Sequence, residues 1–350
     1  MSKELYLATN NGDIGGGEVM LLNIARAARG LGYQVVIIGP ANPPDLIEAA
    51  ADEGFTRIVL PAKTRIQYMV QLRLWHRAHR DALLWCNGLV PAAATGGRAG
   101  RIVHLHQLPT STNAKLVPFA RKKALQTLVP SEYVAASVPG ATVFPNWVQE
   151  VPLSLAKSTV PGVVRIGYLG RLTPSKGIGV LCQAIEFLNS TVTVPEYRLV
   201  VAGAPVFASS EEEHEVSRAL ENIERYTDRL GWSTPQKLFD TVDMLVVPSQ
   251  APESFGLVAA EAMSARVPLI VSDSGALPEI VGENYPYIVP KGDEAELART
   301  ISIVAEQLSS DSEKLTNTVS DAFWRWQELY SPEAGKERVR EILEQHISPA

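Results

Sequence analysis

Two glutamates eight positions apart bracket a short apolar run, ESFGLVAAE, at residues 253–261. The residues before Glu253 have the composition of a loop, whereas LVAAEAMSA over 257–265 is rich in alanine and predicts a helix. Glu253 therefore precedes this helix, and Glu261 lies about one turn inside it. Because carboxylates at neutral pH only accept hydrogen bonds, the pair suits a ligand that is rich in hydroxyl groups.

The start of the predicted helix adds an anion site between the two glutamates. Its first N–H groups lack intrahelical partners, and the helix dipole favours negative charge and phosphate above all. These amides belong to Phe255, Gly256, Leu257 and Val258. Eight helical steps span roughly 12 Å, which exceeds the roughly 5–9.5 Å between the paired carboxylates of glycoside hydrolases. A nucleotide-sugar fits this layout, with sugar hydroxyls, diphosphate and ribose hydroxyls in order. An exposed loop position for Glu253 and a structural role for Glu261 remain the alternative.

Two cations lie in another loop, GRLTPSKG over 170–177, which follows a predicted strand and precedes a predicted helix. Arg171 and Lys176 are five positions apart. The planar guanidinium and the compact ammonium suit a shared pair of phosphates. Exposure of both cations to solvent is the alternative that spacing leaves open.

The first 110 residues contain two further candidates. Gly15-Gly16-Gly17 opens the first predicted helix, which fits either close approach of a ligand to the backbone or a flexible loop. For Glu18, in the first helical turn, we expect a structural role. In VHLHQLP (103–109), strand alternation puts His104 and His106 on one side, and His106 is the better site candidate. We expect no metal site, because no carboxylate cluster accompanies the histidines and the sequence has no Asp-x-Asp pair.

Apolar strands alternate with helical patterns along the whole chain, which predicts an α/β protein. Strands are predicted at 5–9, 34–39, 57–60, 82–86, 102–106, 126–129, 141–144, 163–170, 197–205, 244–249 and 267–273. A linker, VPLSLAKSTVPG (151–162), separates two arrays. The predicted organisation is two facing, doubly wound Rossmann-like domains, 1–150 and 151–331, with a charged C-terminal helix from 332 (332–350) that packs on the first.

Charge is unevenly distributed over the 350 residues. Residues 1–150 hold 15 Lys and Arg against 10 Asp and Glu, whereas residues 151–350 hold 17 against 28. The basic amphipathic segment RIQYMVQLRLWHRAHR (65–80) is either a core helix with a solvated face or a contact with an anionic membrane surface. Two distant cysteines, no secretory signal and no long apolar run predict a cytoplasmic protein, or one peripheral at the inner face of the cell membrane.

The second half of the chain resembles a known family. GRLTPSKG, VVAGAP, LGWSTPQKLFDTVDMLVVPS and ESFGLVAAEAMSARVPLIVSDSGALPEIVG occur in the order and spacing of GT4-type retaining glycosyltransferases (glycosyl transferases group 1). GGGE, VHLH, VPSEYVAAS and FPNW in the first half are looser matches. This family has the GT-B fold, in which two Rossmann-like domains face each other across a cleft. The resemblance departs at Trp147, where the family usually has glycine, and around Ala265 and Arg266, where a glycine after the helix is missing.

The resemblance implies roles for matching positions. Arg171 and Lys176 would hold the donor diphosphate, Glu253 the sugar hydroxyls and Glu261 the ribose hydroxyls, while His106 would face the donor sugar. The expected catalytic set is Arg171, Lys176, Glu253 and His106. The expected donor-binding set is Gly16, Gly17, Gly170, Gly203, Gly231, Ser254, Phe255, Gly256, Leu257, Val258 and Glu261.

The implied activity is metal-independent transfer of a sugar from a nucleoside-diphosphate sugar, UDP-sugar favoured, to a hydroxyl acceptor with retained anomeric configuration. The expected acceptor is a glycan or lipid-linked intermediate of cell-envelope polysaccharide synthesis, and no cofactor is expected. A nucleotide-sugar epimerase or hydrolase, or a non-catalytic nucleotide-sugar-binding protein, is the alternative. A nicotinamide dehydrogenase is disfavoured because GYLGRL lacks the G-x-G-x-x-G pattern. Nucleic-acid binding is disfavoured because the sequence contains no nucleic-acid-binding motif.

Overall fold

A computed structural model describes residues 4–109, 114–154, 160–205 and 209–346. The chain divides into two compact units. One contains the residues up to Trp147 together with those from Pro332, and the other runs from Val148 to Ser331. The predicted boundary lies three residues later, after Glu150. Val148 packs in a core of the second unit and donates a backbone hydrogen bond to Tyr330 (3.1 Å).

The first unit is built on a seven-stranded parallel sheet in the order β3-β2-β1-β4-β5-β6-β7. Its strands are β1 (Glu4–Ala8), β2 (Gln34–Pro40), β3 (Thr56–Leu60), β4 (Leu83–Asn87), β5 (Arg101–His104), β6 (Gln126–Val129) and β7 (Thr142–Val143). Its first six helices are α1 (Gly16–Gly30), α2 (Asp45–Asp52), α3 (Arg65–Ala78), α4 (Leu89–Ala94), α5 (Val117–Arg121) and α6 (Glu132–Ala135). Continuous apolar runs form the central strands because both faces of the sheet are covered.

The second unit is built on a six-stranded parallel sheet in the order β10-β9-β8-β11-β12-β13. Its strands are β8 (Val163–Leu169), β9 (Glu196–Ala202), β10 (Thr227–Gly231), β11 (Met244–Val247), β12 (Leu269–Ser272) and β13 (Ile288–Val289). Its helices are α7 (Ile178–Thr191), α8 (Ser210–Asn222), α9 (Pro235–Phe239), α10 (Leu257–Ser264), α11 (Leu277–Val281), α12 (Glu294–Ser309) and α13 (Glu313–Leu329).

A last helix, α14 (Pro332–His346), returns to the first unit and packs against α1. Val339 and Leu343 are fully buried in the same apolar cluster as Met20 and Ile24 of α1. Residues 347–350 of the predicted helix lie outside the described residues. No described helix has the length and apolar composition needed to cross a membrane.

Several elements differ from the sequence prediction. Strands β10 and β13 and helices α12 and α13 were absent from it. The predicted strand 102–106 ends at His104, which leaves His106 in the following loop. Helix α1 begins at Gly16, so two of the three consecutive glycines form its first turn. Within the predicted linker, residues 155–159 lie outside the described residues.

Candidate functional site

The predicted phosphate and sugar contacts of the second unit flank the point where its strand order reverses. Strands β8 and β11 are neighbours at the centre of the sheet. From β8 the sheet continues through β9 and β10 on one side, and from β11 through β12 and β13 on the other. Lys176 lies in the loop after β8, and Glu253 lies in the loop after β11. Ligands of open parallel sheets bind outside the carboxyl ends of strands at such a switch point. The topology therefore brings these two residues to the expected place.

Backbone hydrogen bonds tie the two loops together. The amides of Gln250 and Ala251 both donate to the carbonyl oxygen of Ser175, at 2.9 and 3.0 Å. Gly177 closes the first loop with a φ of +77°, and a Cβ atom there would lie 1.8 Å from the carbonyl oxygen of Pro248. Any side chain at 177 would force the loops apart, so this glycine is needed for the approach of Lys176 to Glu253.

One oxygen of Glu253 is fully engaged and the other is not. Oε1 accepts from Lys176 Nζ and from Ser249 Oγ, each at 2.5 Å. Among the described residues, Oε2 has no hydrogen-bond partner. The backbone of Glu253 is fixed as well, because its carbonyl oxygen accepts from the Ala276 amide at 2.9 Å. The carboxylate is thus held in place with one oxygen able to accept from a ligand hydroxyl.

Helix α10 presents unpaired amides beside this carboxylate. It begins at Leu257 and has Gly256 as its N-cap. No described residue accepts from the amides of Phe255, Gly256, Leu257 or Val258. The Phe255 ring is buried, 5.4 Å from the ring of Tyr330, so position 255 offers only its backbone to a ligand. Ser254 is half-buried next to these amides.

The glycine at 256 has a structural reason that differs from the predicted one. Its φ is +113°, which residues other than glycine rarely adopt. A Cβ atom there would also lie 2.6 Å from Leu277 Cδ2. Backbone conformation and packing against Leu277 therefore account for Gly256 without close approach of a ligand.

Glu261 is a half-buried carboxylate that lacks a partner. No described residue forms a hydrogen bond or an ion pair with its side chain. Burial raises the pKa of Glu261 to about 7. Only the four steps from Leu257 to Glu261 are helical, so the separation of roughly 12 Å, derived from eight helical steps, does not apply. An unpaired carboxylate with a raised pKa is typical of a ligand-binding position.

Three glycines line the carboxyl edge of neighbouring strands β8, β9 and β10. The Gly203 amide donates to the Gly231 carbonyl oxygen at 2.8 Å, and a Cβ atom on Gly203 would lie 1.9 Å from the Gly170 carbonyl oxygen. The φ angles of Gly170 and Gly203 are +151° and +152°. Next to them, Arg171 is exposed, and its guanidinium has no partner among the described residues. The three glycines therefore expose backbone without side chains of their own next to the unpaired guanidinium of Arg171.

A second cluster lies at the corresponding switch point of the first unit, between β1 and β4. Asn87 ends β4, and its Nδ2 donates to the Gly17 carbonyl oxygen at 3.0 Å. Its Oδ1 lies 2.6 Å from Nε2 of His106. The His106 ring lies 3.3 Å from where a Cβ atom of Gly17 would be. Sequence reasoning missed Asn87, whose only signal was its position at the end of a buried strand.

The hydrogen bonds of Asn87 fix the tautomer of His106. Because the Gly17 carbonyl can only accept, the Asn87 amide nitrogen must face it, and the amide oxygen then accepts from Nε2–H of His106. Burial lowers the pKa of His106 to about 4, so the ring is neutral at pH 7. Nδ1 is therefore an acceptor, and it has no partner among the described residues. The Nδ1 atom is itself buried, so this acceptor is left unsatisfied within the described residues.

His104 and Glu18 have structural positions, whereas donor binding by Gly16 stays a prediction. His104 is fully buried with its ring centroid 4.0 Å from that of His106, and burial lowers its pKa. Glu18 is buried and accepts from Thr9 Oγ1 (3.1 Å) and the Gly15 amide (3.3 Å), which caps its own helix. Gly16 lies in the same first turn of α1. Within the described ranges, no group of three or more His, Cys, Asp or Glu side chains is placed to share a metal ion.

Two of the departures from the family pattern have packing partners in the structure. Trp147 is buried, and its ring occupies the space that a Cβ atom on Gly335 of α14 would take. Its ring therefore packs on the C-terminal helix within the first unit. Arg266 has a φ of +55°, in the left-handed region that usually favours glycine, and its guanidinium lies 3.4 Å from the centroid of the Phe323 ring.

Comparisons with known proteins identify chains that are similar to this one. Residues 163–307 match the family described as Glycosyl transferases group 1. A lipopolysaccharide 1,2-N-acetylglucosaminetransferase of Salmonella typhimurium is 32% identical over 121 residues, which are 33% of this chain and 31% of that protein. A D-inositol 3-phosphate glycosyltransferase of Corynebacterium diphtheriae is 25% identical over 77% of this chain and 76% of that protein. Several of the curated relatives align over only about a third of their own length.

Solved structures resemble the whole chain. Anabaena HepE in complex with UDP and glucose has a TM-score of 0.80 at 19% identity, and the match covers 98% of this chain and 100% of that one. At such low identity the likeness establishes the fold, which is GT-B with two Rossmann-like units. Residues 163–307 thus match the group 1 glycosyltransferase family, and the two units of the chain have the GT-B fold.

Proposed function

We propose that this protein is a retaining glycosyltransferase that moves a sugar from a nucleoside-diphosphate sugar, UDP-sugar favoured, to a hydroxyl acceptor. The observation that carries the proposal is the grouping of Lys176, Glu253 and the start of α10 at the switch point of the second sheet. The family match over residues 163–307 supports it, as do the bound UDP and glucose of the structurally similar Anabaena protein.

The second unit would hold the donor along the carboxyl edge of its sheet. The free Oε2 of Glu253 would accept from a sugar hydroxyl, while Lys176 keeps Oε1 engaged and turns its remaining N–H groups towards the diphosphate. The amides at the start of α10 would bind phosphate oxygens. The unpaired carboxylate of Glu261 would accept from the ribose hydroxyls. The glycines at the carboxyl edge of β8, β9 and β10 would accommodate the base, because Gly170, Gly203 and Gly231 have no side chains of their own.

The proposed reaction proceeds on one face of the sugar. The bond from the anomeric carbon to the diphosphate oxygen breaks, the acceptor oxygen bonds to the same face, and the acceptor proton passes to the departing phosphate. Negative charge develops on that phosphate, and Lys176, Arg171 and the α10 amides would stabilise it. Glu253 is not assigned as a nucleophile, because its free Oε2 is used here to accept from a sugar hydroxyl while Lys176 and Ser249 hold Oε1.

The proposal includes independence of a divalent metal. Its support is the positive charge that the protein itself provides around the diphosphate: the Lys176 ammonium, the free Arg171 guanidinium and the N-terminal dipole of α10. Activity that persists in excess EDTA is the expected result. Activity that disappears in EDTA and returns with added Mg²⁺ or Mn²⁺ would contradict this part.

The first unit would bind the acceptor. In this unit His106, whose buried Nδ1 has no partner among the described residues, would face the donor sugar. We propose a glycan or lipid-linked acceptor of cell-envelope polysaccharide synthesis, used in the cytoplasm or at the inner face of the membrane. The name of the Salmonella typhimurium relative supports this choice of acceptor.

The test is nucleotide release from a panel of UDP-, GDP- and ADP-sugars, each with and without simple glycosides and a crude lipid extract as acceptors. We expect release of one of the three nucleotides that depends on the acceptor. NMR of the product should show the same anomeric configuration as the donor sugar. Lys176→Ala should abolish release, whereas Lys237→Ala, an exposed lysine on α9, should not. Equal release with and without acceptor would favour a hydrolase, and inverted product would refute retention.

A further inference from the structure

One stretch of the first unit carries almost no negative charge. From Gly54 to Ser131 the chain has twelve Lys and Arg residues and a single acidic residue, Asp81. This stretch includes α3, α4 and α5, which cover one face of the sheet around a shared apolar cluster. A solvent-facing helical layer normally mixes both signs of charge. The bias therefore indicates an anionic partner.

Helix α3 also exposes a stripe of aliphatic side chains. Ile66, Val70 and Leu74 are 75%, 52% and 59% exposed, and their spacing of four places them along one side of the helix. The opposite side is the buried one, with Tyr68 and Leu72 in the core. The helix is thus already packed on its inner side, and the outer aliphatic stripe contributes nothing to that packing.

Arginines lie within this stripe and connect it to α5. Arg77 follows Arg73 by one turn on the outer side of α3, and both are exposed. Arg73 donates to the Gly96 carbonyl oxygen at 3.3 Å. The Phe119 ring lies against the same glycine, 2.5 Å from where its Cβ atom would be, and is 47% exposed. The aliphatic, basic and aromatic side chains therefore form one continuous surface.

A shallow depression at the end of α5 extends the basic character of this layer. It has a volume of about 460 Å³ and is lined by Arg121 and Lys122 together with polar Gln126 and Thr127. Arg121 is oriented by a hydrogen bond to Thr127 Oγ1 at 3.2 Å. A lipid phosphate has the charge and size that such a depression would accept.

We infer that the α3 and α5 face is a docking surface for a bilayer that contains anionic phospholipids. Aliphatic side chains enter the boundary of headgroups and acyl chains while interleaved arginines bind lipid phosphates. Nucleic acid would use the arginines but leave the aliphatic stripe exposed. A second copy of this chain would place like charges against each other, because the surface carries almost no acidic groups. The bilayer satisfies both features.

The test is co-sedimentation of the full chain with vesicles of phosphatidylcholine alone and with about one-third phosphatidylglycerol. Binding to the anionic vesicles only, reduced at high salt, is expected. Arg77→Glu should weaken it about thirtyfold, since each elementary charge near an anionic surface contributes about 1 kcal/mol and this reversal changes two. Arg218→Glu, at an exposed site on α8 in the second unit, changes net charge equally and should leave binding intact.

The apolar part is tested by replacing Ile66, Val70 and Leu74 together with serine, against Phe187→Ser at an exposed apolar site of α7. Only the triple variant should lose vesicle binding. Equal binding to neutral and anionic vesicles, or equal effects of Arg77→Glu and Arg218→Glu, would overturn the inference. The inference would also be overturned if the protein did not bind vesicles and these variants instead abolished self-association or RNA binding. These assays need no nucleotide, so their failure is distinguishable from failure of the proposed transfer reaction.

Discussion

Replacement of Glu261 by glutamine should stabilise the free protein and weaken nucleotide binding at the same time. Burial raises the pKa of this carboxyl from 4.5 to about 7. At 1.36 kcal/mol per pKa unit, ionising it in the folded chain costs about 3 kcal/mol relative to the unfolded chain. Glutamine has nearly the same shape and never ionises, so the variant lacks this cost.

The sign of the pH dependence follows from the raised pKa. Below about pH 4.5 the group is protonated in both the folded and the unfolded chain, and it costs nothing. As the pH rises from 4.5 to 7 the unfolded chain ionises first, so wild-type stability falls, and above 7 the loss is complete. The free energy of unfolding of Glu261→Gln should therefore equal that of wild type near pH 4 and exceed it by up to about 3 kcal/mol at pH 8.

Nucleotide binding should change in the opposite direction. An ionised carboxylate that accepts from ribose hydroxyls contributes roughly 1.5–3 kcal/mol, so the glutamine variant should bind UDP about ten- to a hundredfold more weakly at pH 8. Wild-type affinity should fall between pH 8 and pH 6, as Glu261 takes up a proton, whereas the variant's affinity should not.

Urea unfolding of wild type and Glu261→Gln from pH 4 to 8, together with UDP titration calorimetry, measures both effects. Glu306→Gln, at an exposed position on α12, is the matched control and should follow wild type. A stability difference between wild type and Glu261→Gln that does not change with pH would refute the assignment of a buried, unpaired carboxyl. Unchanged UDP affinity would refute its contact with the nucleotide.

Three further changes test separate parts of the site and fold. Lys176→Met should reduce kcat/KM by about 10²–10³, and combining it with Glu253→Gln should be less than additive in a double-mutant cycle; full additivity would mean the pair does not act together. Asn87→Asp should raise the pKa of His106 and make the activity loss below neutral pH steeper than the loss that Glu261 causes in wild type, whereas matching pH–rate profiles would contradict the proposed tautomer. Gly335→Ala should lower the free energy of unfolding by about 1–3 kcal/mol through a clash with the Trp147 ring, and thermal unfolding that matches wild type would contradict the packing.

The sequence predicted the two-array α/β organisation because buried parallel strands are nearly continuous apolar runs. The GT-B fold is confirmed, and residues 163–307 match the group 1 family. Strand β10 was missed because its sequence, TDRLG, is polar and partly exposed, unlike the buried strands. Helices α12 and α13 were not predicted, although both are amphipathic.

At the site, sequence spacing identified residues but not their partners. Lys176 and Glu253 are 77 positions apart, and only the sheet order makes them an ion pair. Asn87 had no motif to mark it, because its role depends on the neighbouring loops that bring Gly17 and His106 to it. Gly256 was assigned to ligand approach because glycine permits it, whereas the side chain of Leu277 and a positive φ angle are the physical reasons that the structure provides.

The central claim is that the second unit binds a nucleoside diphosphate through its own charges. Its most direct test is thermal unfolding of the protein in EDTA with millimolar UDP, GDP or ADP, since a ligand that binds only the folded state raises the unfolding temperature. The account predicts a rise with UDP that Arg171→Ala and Glu261→Ala abolish. No rise with any of the three nucleotides would contradict it.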